Sequence, residues 1–277
     1  MDEAGQVSLA DAVACAQAAR NVVLIGDPLQ LAQVSQGFHP VGTDLSVLQH
    51  VLGDDQTVRP ERGIFLDESY RMHPEICTFV SRSVYEGRLR AGEAAFSNAV
   101  ESNGKIHHGL RYLPVTHRNN SRESAEEAAG IVHEIGLLLQ GRVRSYGRPW
   151  RTFTPGDFMV VTPYNAQRRR IEGALAAAGL TGVRVGTVDK FQGQEAPVVF
   201  YSMATSSGAS LPRDVGFLFE RNRLNVAVSR AQCMTVLVCS PQLLDVLCVS
   251  PEAMALVNLL CAFVEIATPL KPGSDEV

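Results

Sequence analysis

"FMVVTPYNAQRRRIEGALAAAG", residues 158–179, passes directly from a strand into a helix. Residues 158–162 are an apolar run of strand length, Pro163 and Tyr164 make the turn, and residues 166–178 then carry a helical pattern with Gln167 one turn along. The same grammar recurs outward in both directions. Short runs rich in Val, Ile, Leu and Phe at 22–26, 64–66, 111–115, 184–188, 198–202 and 235–239 alternate with helical patterns at 74–83, 123–139, 221–230 and 241–247. Such alternation predicts an α/β fold: a mainly parallel sheet with helices on both faces. Ser124 followed by Glu127 predicts a capping box, after which Ile131, Ile135, Leu138 and Leu139 share one helix face.

The 277 residues carry a net charge of −4 and are 45% hydrophobic, so a sizeable core is available and no bulk basic footprint for nucleic acid exists. Any binding of a polyanion must therefore be local. The six cysteines form no Cys-x-x-Cys pair, which argues against zinc, an iron–sulfur cluster or a disulfide framework. The acidic start lacks the apolar stretch of a signal peptide, and a cytoplasmic protein is expected. The longest apolar segment, 253–267, is interrupted by Asn258 and Glu265 and is too short for a bilayer core of about 30 Å, so it reads as a core-facing helix. Glycine, proline and polar residues place a domain boundary within 38–63 and surface loops at 98–109 and 141–156, with a loose tail over 271–277.

Five stretches carry chemistry. "VVLIGDPLQ" sets Asp27 and Gln30 just past a strand, where open α/β sheets bind ligands. A plain Gly-Asp-Pro turn is the simpler reading of that stretch alone. "LDESYRMHPEI", 66–76, places Arg71 between a strand and a helix, free to reach a phosphate or to pair with Glu68 or Glu75. Tyr164 can stack on a base or close a core edge. "VGTVDKFQGQE", 185–195, crowds Thr187, Asp189, Gln192 and Glu195 around Gly193, more hydrogen-bonding capacity than a connection needs. "RNRLNVAVSRAQ", 221–232, sets Arg223 and Arg230 seven apart on a helix, hence on one side, where two guanidinium groups suit a polyphosphate.

In this order the stretches resemble the motifs of superfamily 1 helicases, in the branch that includes the nonsense-mediated-decay RNA helicase. The resemblance runs from Asp2 to about Ser240. "GDPLQLAQVSQG", "RGIFLDESYRMHPEIC" and "NGKIHHGLRYLPV" are similar to the C-terminal helicase half of bacterial proteins that carry a RecB-like nuclease upstream. The resemblance implies a RecA-like P-loop NTPase fold, with a complete second RecA-like domain at 64–277 and a C-terminal remnant of the first at 1–60. It implies ATP and Mg²⁺ as cofactors. Asp2 would hold Mg²⁺ through its water shell, Glu3 would activate the attacking water, and Gln30 would sense the γ-phosphate. Arg71 and Arg230 would be arginine fingers. Asp27, Tyr70, Gly193, Glu195 and Arg223 would surround the nucleotide, while Pro163, Tyr164, Thr187 and Val188 would grip a single nucleic-acid strand, DNA ahead of RNA. The implied setting is nucleic-acid repair or processing, with the N-terminal helicase half and its nuclease as partner and no membrane.

Two departures stand out. Ser229 replaces the usual Thr, and Ala204-Thr205-Ser206 lacks an Arg common in the branch. No Gly-x-x-x-x-Gly-Lys-Ser/Thr loop occurs. The expectation is therefore of a helicase fragment not competent for hydrolysis alone, with stability lower in 1–60 than in 64–277. The alternative is a non-catalytic module that binds a single strand or a partner.

Overall fold

The computed structural model describes residues 1–31, 40, 42–53 and 55–270. Along the chain run α1 (Leu9–Ala16), α2 (Val47–Leu52), β1 (Glu68–Ser69), α3 (Pro74–Val84), β2 (Arg90–Ala91), β3 (Ala99–Ser102), β4 (Lys105–His107), β5 (Gly109–Pro114), α4 (Ala125–Leu138), β6 (Arg142–Arg144) and β7 (Arg151–Thr152). There follow β8 (Phe158–Thr162), α5 (Asn165–Ala177), β9 (Arg184–Thr187), β10 (Ala196–Ser202), α6 (Val215–Leu218), α7 (Arg221–Ser229), β11 (Ala231–Cys239), α8 (Pro251–Ile266) and β12 (Thr268–Pro269).

Six strands form one parallel sheet in the order β12-β5-β11-β10-β8-β9. Successive side chains of a strand point to opposite faces, and here both faces are covered. Met159, Val161, Val199 and Tyr201 face a layer built by α3, α7 and α8, which supplies Ile76, Phe79, Val226, Leu260 and Phe263. Phe158, Val160, Val198 and Phe200 face α4 and α5, which supply Ile131, Ile135, Ile171 and Leu175. Burial on both sides is why these strands read as unbroken apolar runs, each large side chain contributing about 1.5–3 kcal/mol.

At the start of α4 Ser124 Oγ accepts from Glu127 N at 3.0 Å, but the reciprocal half of the expected capping box is absent. The Glu127 carboxylate turns into the core instead. It accepts from Ser202 Oγ at 2.6 Å and Ala204 N at 2.9 Å, and meets His117 Nε2 at 3.0 Å. Ala204, at φ +64°, takes the left-handed turn that brings its amide there.

Several expected elements differ. Residues 98–109 and 141–156, read as loops, contain the antiparallel sheet β4-β3-β6-β7. Residues 22–26 and 64–66 are not strands. The first is extended and bonds to the chain start through Met1 N to Val23 O (2.8 Å), Ile25 N to Met1 O (2.9 Å) and Ala4 N to Ile25 O (2.8 Å), yet Val23 is 68% exposed. The helix expected at 241–247 shortens to a 3-10 turn at Pro241–Leu244. The segment expected as a helix at 253–267 forms most of α8 (Pro251–Ile266), whose Val257, Leu260 and Phe263 are buried as expected. No helix among the described residues is long and apolar enough to cross a membrane. The tail at 271–277 lies outside the described residues.

Candidate active site

Two close approaches of glycine fix the chain start. A Cβ at Gly26 would lie 2.6 Å from Ala4 N, and one at Gly5 would lie 2.5 Å from Asp27 O. The backbone of 1–5 therefore packs directly on 25–28 and carries Glu3 beside Gln30's turn. Asp27 organises that turn: its Oδ1 accepts from Leu29 N at 2.9 Å, and its Oδ2 accepts from Gln30 Nε2 at 3.1 Å and from the Tyr85 hydroxyl. With its amide nitrogen so engaged, Gln30 turns its oxygen outward to accept from Arg230 Nη2 at 2.9 Å.

Arg230 immediately precedes β11 and Glu195 immediately precedes β10, and Ala196 N donates to Arg230 O at 3.0 Å. The two side chains thus enter from the amino ends of neighbouring strands. Arg230 is 2% exposed; its Nη1 donates to Gln194 O at 3.2 Å. Burial, and then the like charge of Arg71, lower its pKa to about 10, partly offset by Glu3, Tyr85 and Asp27. Arg71 donates from Nε to Glu195 Oε2 at 2.6 Å and from Nη1 to Ser229 O at 3.2 Å. Glu195 also accepts from the Tyr146 hydroxyl and from Gln232 Nε2 at 2.9 Å. Burial alone would raise the Glu195 pKa; the hydrogen bonds from Tyr146 and Arg71 and the Arg71 charge outweigh it and hold the carboxyl below its ordinary value.

Arg71, Arg230, Gln30, Asp27 and Glu195 are therefore brought together, with Glu3 close enough to act on Arg230 and joined to the loop before β10 by Gln192 Nε2 at 3.3 Å. Gly193 lies in that loop at φ +73°, a left-handed turn that suits glycine. Asp2 is exposed and accepts from Glu3 N at 3.0 Å. Tyr70 is 62% exposed, its ring against Gly92. A set in which a buried guanidinium, Arg230, lies beside a second, half-buried one, Arg71, fits an added anion such as a phosphate chain.

Arg223 is not joined to this group. The two arginines share no partner among the described residues. Arg223 Nε donates to Glu220 at 2.7 Å, and its guanidinium lies 4.5 Å over the Phe217 ring. The expected strand-gripping residues sit at the other end of the sheet, at the carboxyl ends of β8 and β9. Pro163 is buried, Tyr164 is 7% exposed, Val188 is fully buried and Thr187 is half-buried. Phe217 of α6 covers Tyr164, their ring centroids 5.8 Å apart.

Several contributing residues escaped the sequence reading. Tyr85 and Asn225 form a bridge: Asn225 Nδ2 donates to the Tyr85 hydroxyl and to Leu29 O, each at 2.9 Å. Asn225's interruption of an apolar helix was the available signal. Tyr146, Gln232 and Asn98 gave none. Asn98 Nδ2 donates to Arg71 O at 2.8 Å, and its Oδ1 accepts from Tyr146 N at 2.7 Å.

Comparison with known proteins adds the lineage. A family model described as "AAA domain" matches residues 44–242. The mouse (Mus musculus) "3'-5' exoribonuclease HELZ2" is 30% identical over 262 residues, covering 84% of this chain and 8% of that protein. "Helicase sen1" of Schizosaccharomyces pombe is 28% identical over 254 residues, covering 86% and 14%. The Drosophila melanogaster "Regulator of nonsense transcripts 1 homolog" is 27% identical over 245 residues, covering 82% and 19%. The chain spans less than a fifth of the length of each of these three relatives.

Proposed function

The chain belongs to the family of the matched AAA domain, as a RecA-like superfamily 1 helicase of the nonsense-mediated-decay branch, and on that premise we propose that it supplies the C-terminal part of an ATP-driven translocase acting on a single nucleic-acid strand. The observation that carries this reading is the Gln30 amide, fixed by Asp27 and facing Arg230, with Arg71 alongside. A γ-phosphate sensor and two cations from a different part of the chain then address one anionic group.

In this reading Arg71 and Arg230 stabilise charge on the phosphoryl group as it transfers, Glu3 accepts the proton of the attacking water, and Gln30 senses whether the terminal phosphate is present. Asp2 would hold Mg²⁺, and the ion would neutralise phosphate charge. Glu195 fixes Arg71 and Tyr85 fixes Asp27. The low net charge suits a strand track that must release at each step.

Phosphate release is measured with single-stranded DNA or RNA, for the chain alone and with a phosphate-loop helicase half added. Turnover that requires the added half and disappears in Arg230→Ala supports the reading. Turnover indifferent to both Arg71→Ala and Arg230→Ala refutes it.

A further inference from the structure

Of the four residues expected to grip a strand, Pro163, Tyr164 and Val188 are buried and Thr187 is half-buried, and what overlies Tyr164 has its own chemistry. Above Tyr164 lies Phe217, and two guanidinium groups sit on that ring, Arg213 at 4.3 Å and Arg223 at 4.5 Å. Arg223 is balanced by Glu220 at 2.7 Å and by the more distant Asp189 at 3.9 Å. Arg213 is exposed and makes no ion pair or hydrogen bond among the described residues. The neighbouring Asp214 carboxylate is occupied in capping α6, accepting from Phe217 N at 2.9 Å. Arg122, also exposed and without an ion pair among the described residues, lies close enough to act on Tyr164. The layer is thus an aromatic face between planar cations, with two arginines whose charges are uncommitted.

We propose that Phe217, Arg213 and Arg122 form the contact surface for a single nucleic-acid strand at this end of the sheet, the Phe217–Arg213 stack meeting a base and Arg122 a phosphate. The proposal rests on the strand-binding reading above and deepens it, moving the contact from Tyr164 to the layer that covers it. Guanidinium planes and aromatic rings stack on any base, so this surface tolerates sequence while Arg122 engages the phosphodiester backbone. DNA and RNA offer the same base faces and phosphates, and both are tested. Tyr164 becomes the support that holds Phe217's ring.

The test is fluorescence anisotropy with labelled oligo-dT and oligo-U, the purified chain being titrated over a range of salt concentrations. Variants Arg213→Ala, Arg213→Lys, Arg122→Ala, Phe217→Leu and Phe217→Tyr are compared, each checked for an unchanged thermal melt. Arg213→Ala and Phe217→Leu are expected to weaken binding about 5-fold or more. Phe217→Tyr retains binding, and Arg213→Lys recovers the salt dependence but not the full affinity. Arg122→Ala lowers the slope of log K against log salt by about 0.7, as for one lost single-strand phosphate contact. If the wild-type chain binds and Arg213→Ala, Arg122→Ala and folded Phe217→Leu all bind equally well, this surface is overturned while the strand-binding reading survives. If the wild type binds neither oligonucleotide at any salt, both fall.

Discussion

Arg71 Nε lies 2.6 Å from Glu195 Oε2, an ion pair between residues 124 apart in sequence. One guanidinium of the site is thereby docked against a carboxylate, while Arg230, beside it, rests on an amide and carbonyl oxygens. The two cations are unequal: removing Arg71 frees a carboxylate, whereas removing Arg230 leaves buried acceptors without a donor.

With a phosphate-loop helicase half added, Arg71→Ala and Arg230→Ala are each expected to lower strand-stimulated ATP turnover by about 10³ or more, the scale of a lost arginine finger. Phosphate-release kinetics check this, with a melt to separate stability from rate. Arg230→Lys restores charge without the fork to Gln30 and Gln194 and is expected to recover little.

Tyr85→Phe removes the hydroxyl that donates to Asp27 and accepts from Asn225. A hydrogen bond to a charged group contributes about 1.5–3 kcal/mol, so urea denaturation is expected to show a loss of that order. The ring volume is kept, which isolates the hydroxyl.

His73, 8% exposed, caps α3 through Nδ1 and stacks on His108 at 4.2 Å, with Glu75 and Arg111 as its other charged neighbours. Burial, and then His108, depress its pKa from 6.5 to about 4. Between those values the unfolded chain binds the proton and the native one does not. Stability is therefore full above about 6.5 and declines as pH falls toward 4, by at most about 1.4 kcal/mol per pH unit for this one group. His73→Asn keeps a capping side chain and is expected to flatten denaturation midpoints over that window.

Glu127→Ala deletes a fully buried carboxylate and strands Ser202, the Ala204 amide and His117. Breaking such a buried set costs about 3–5 kcal/mol, measurable by chemical denaturation. Glu127→Gln, which keeps one acceptor oxygen, is expected to cost less.

Amide exchange is expected to be faster around Val23 than around Val199. Val23 is 68% exposed on a segment with three backbone bonds to the chain start, whereas Val199 is fully buried in β10 between two paired strands. Equal protection would contradict the expected lower stability of residues 1–60.

Five strands of the main sheet were legible because burial on both faces fills Phe158–Thr162 and Ala196–Ser202 with mainly apolar residues. The small antiparallel sheet was not, since Lys105–His107 and Arg142–Arg144 carry the polar residues of a loop. Residues 22–26 have strand composition, but their pairing with residues 1–4 is too brief to make a ladder. In the site, Gln30, Arg71, Glu195 and Arg230 were readable as polar residues where connections need none. Tyr146 was not, because its contribution depends on where a loop at φ +57° happens to set its hydroxyl. Arg223 shares a helix with Arg230, but Glu220 and the Phe217 ring hold its guanidinium, local partners that helical spacing does not reveal.

The Gln30 amide, clasped by Asp27 on one side and Arg230 on the other, gives the pocket an internal understudy for its ligand. In the proposed role, an arriving phosphate oxygen would have to exchange with an oxygen already on the guanidinium, so much of its attraction would go into substitution. Departure would be eased in the same measure, because the amide would be ready to return. A cycle of grasp and release would then trade some affinity for an easier reset.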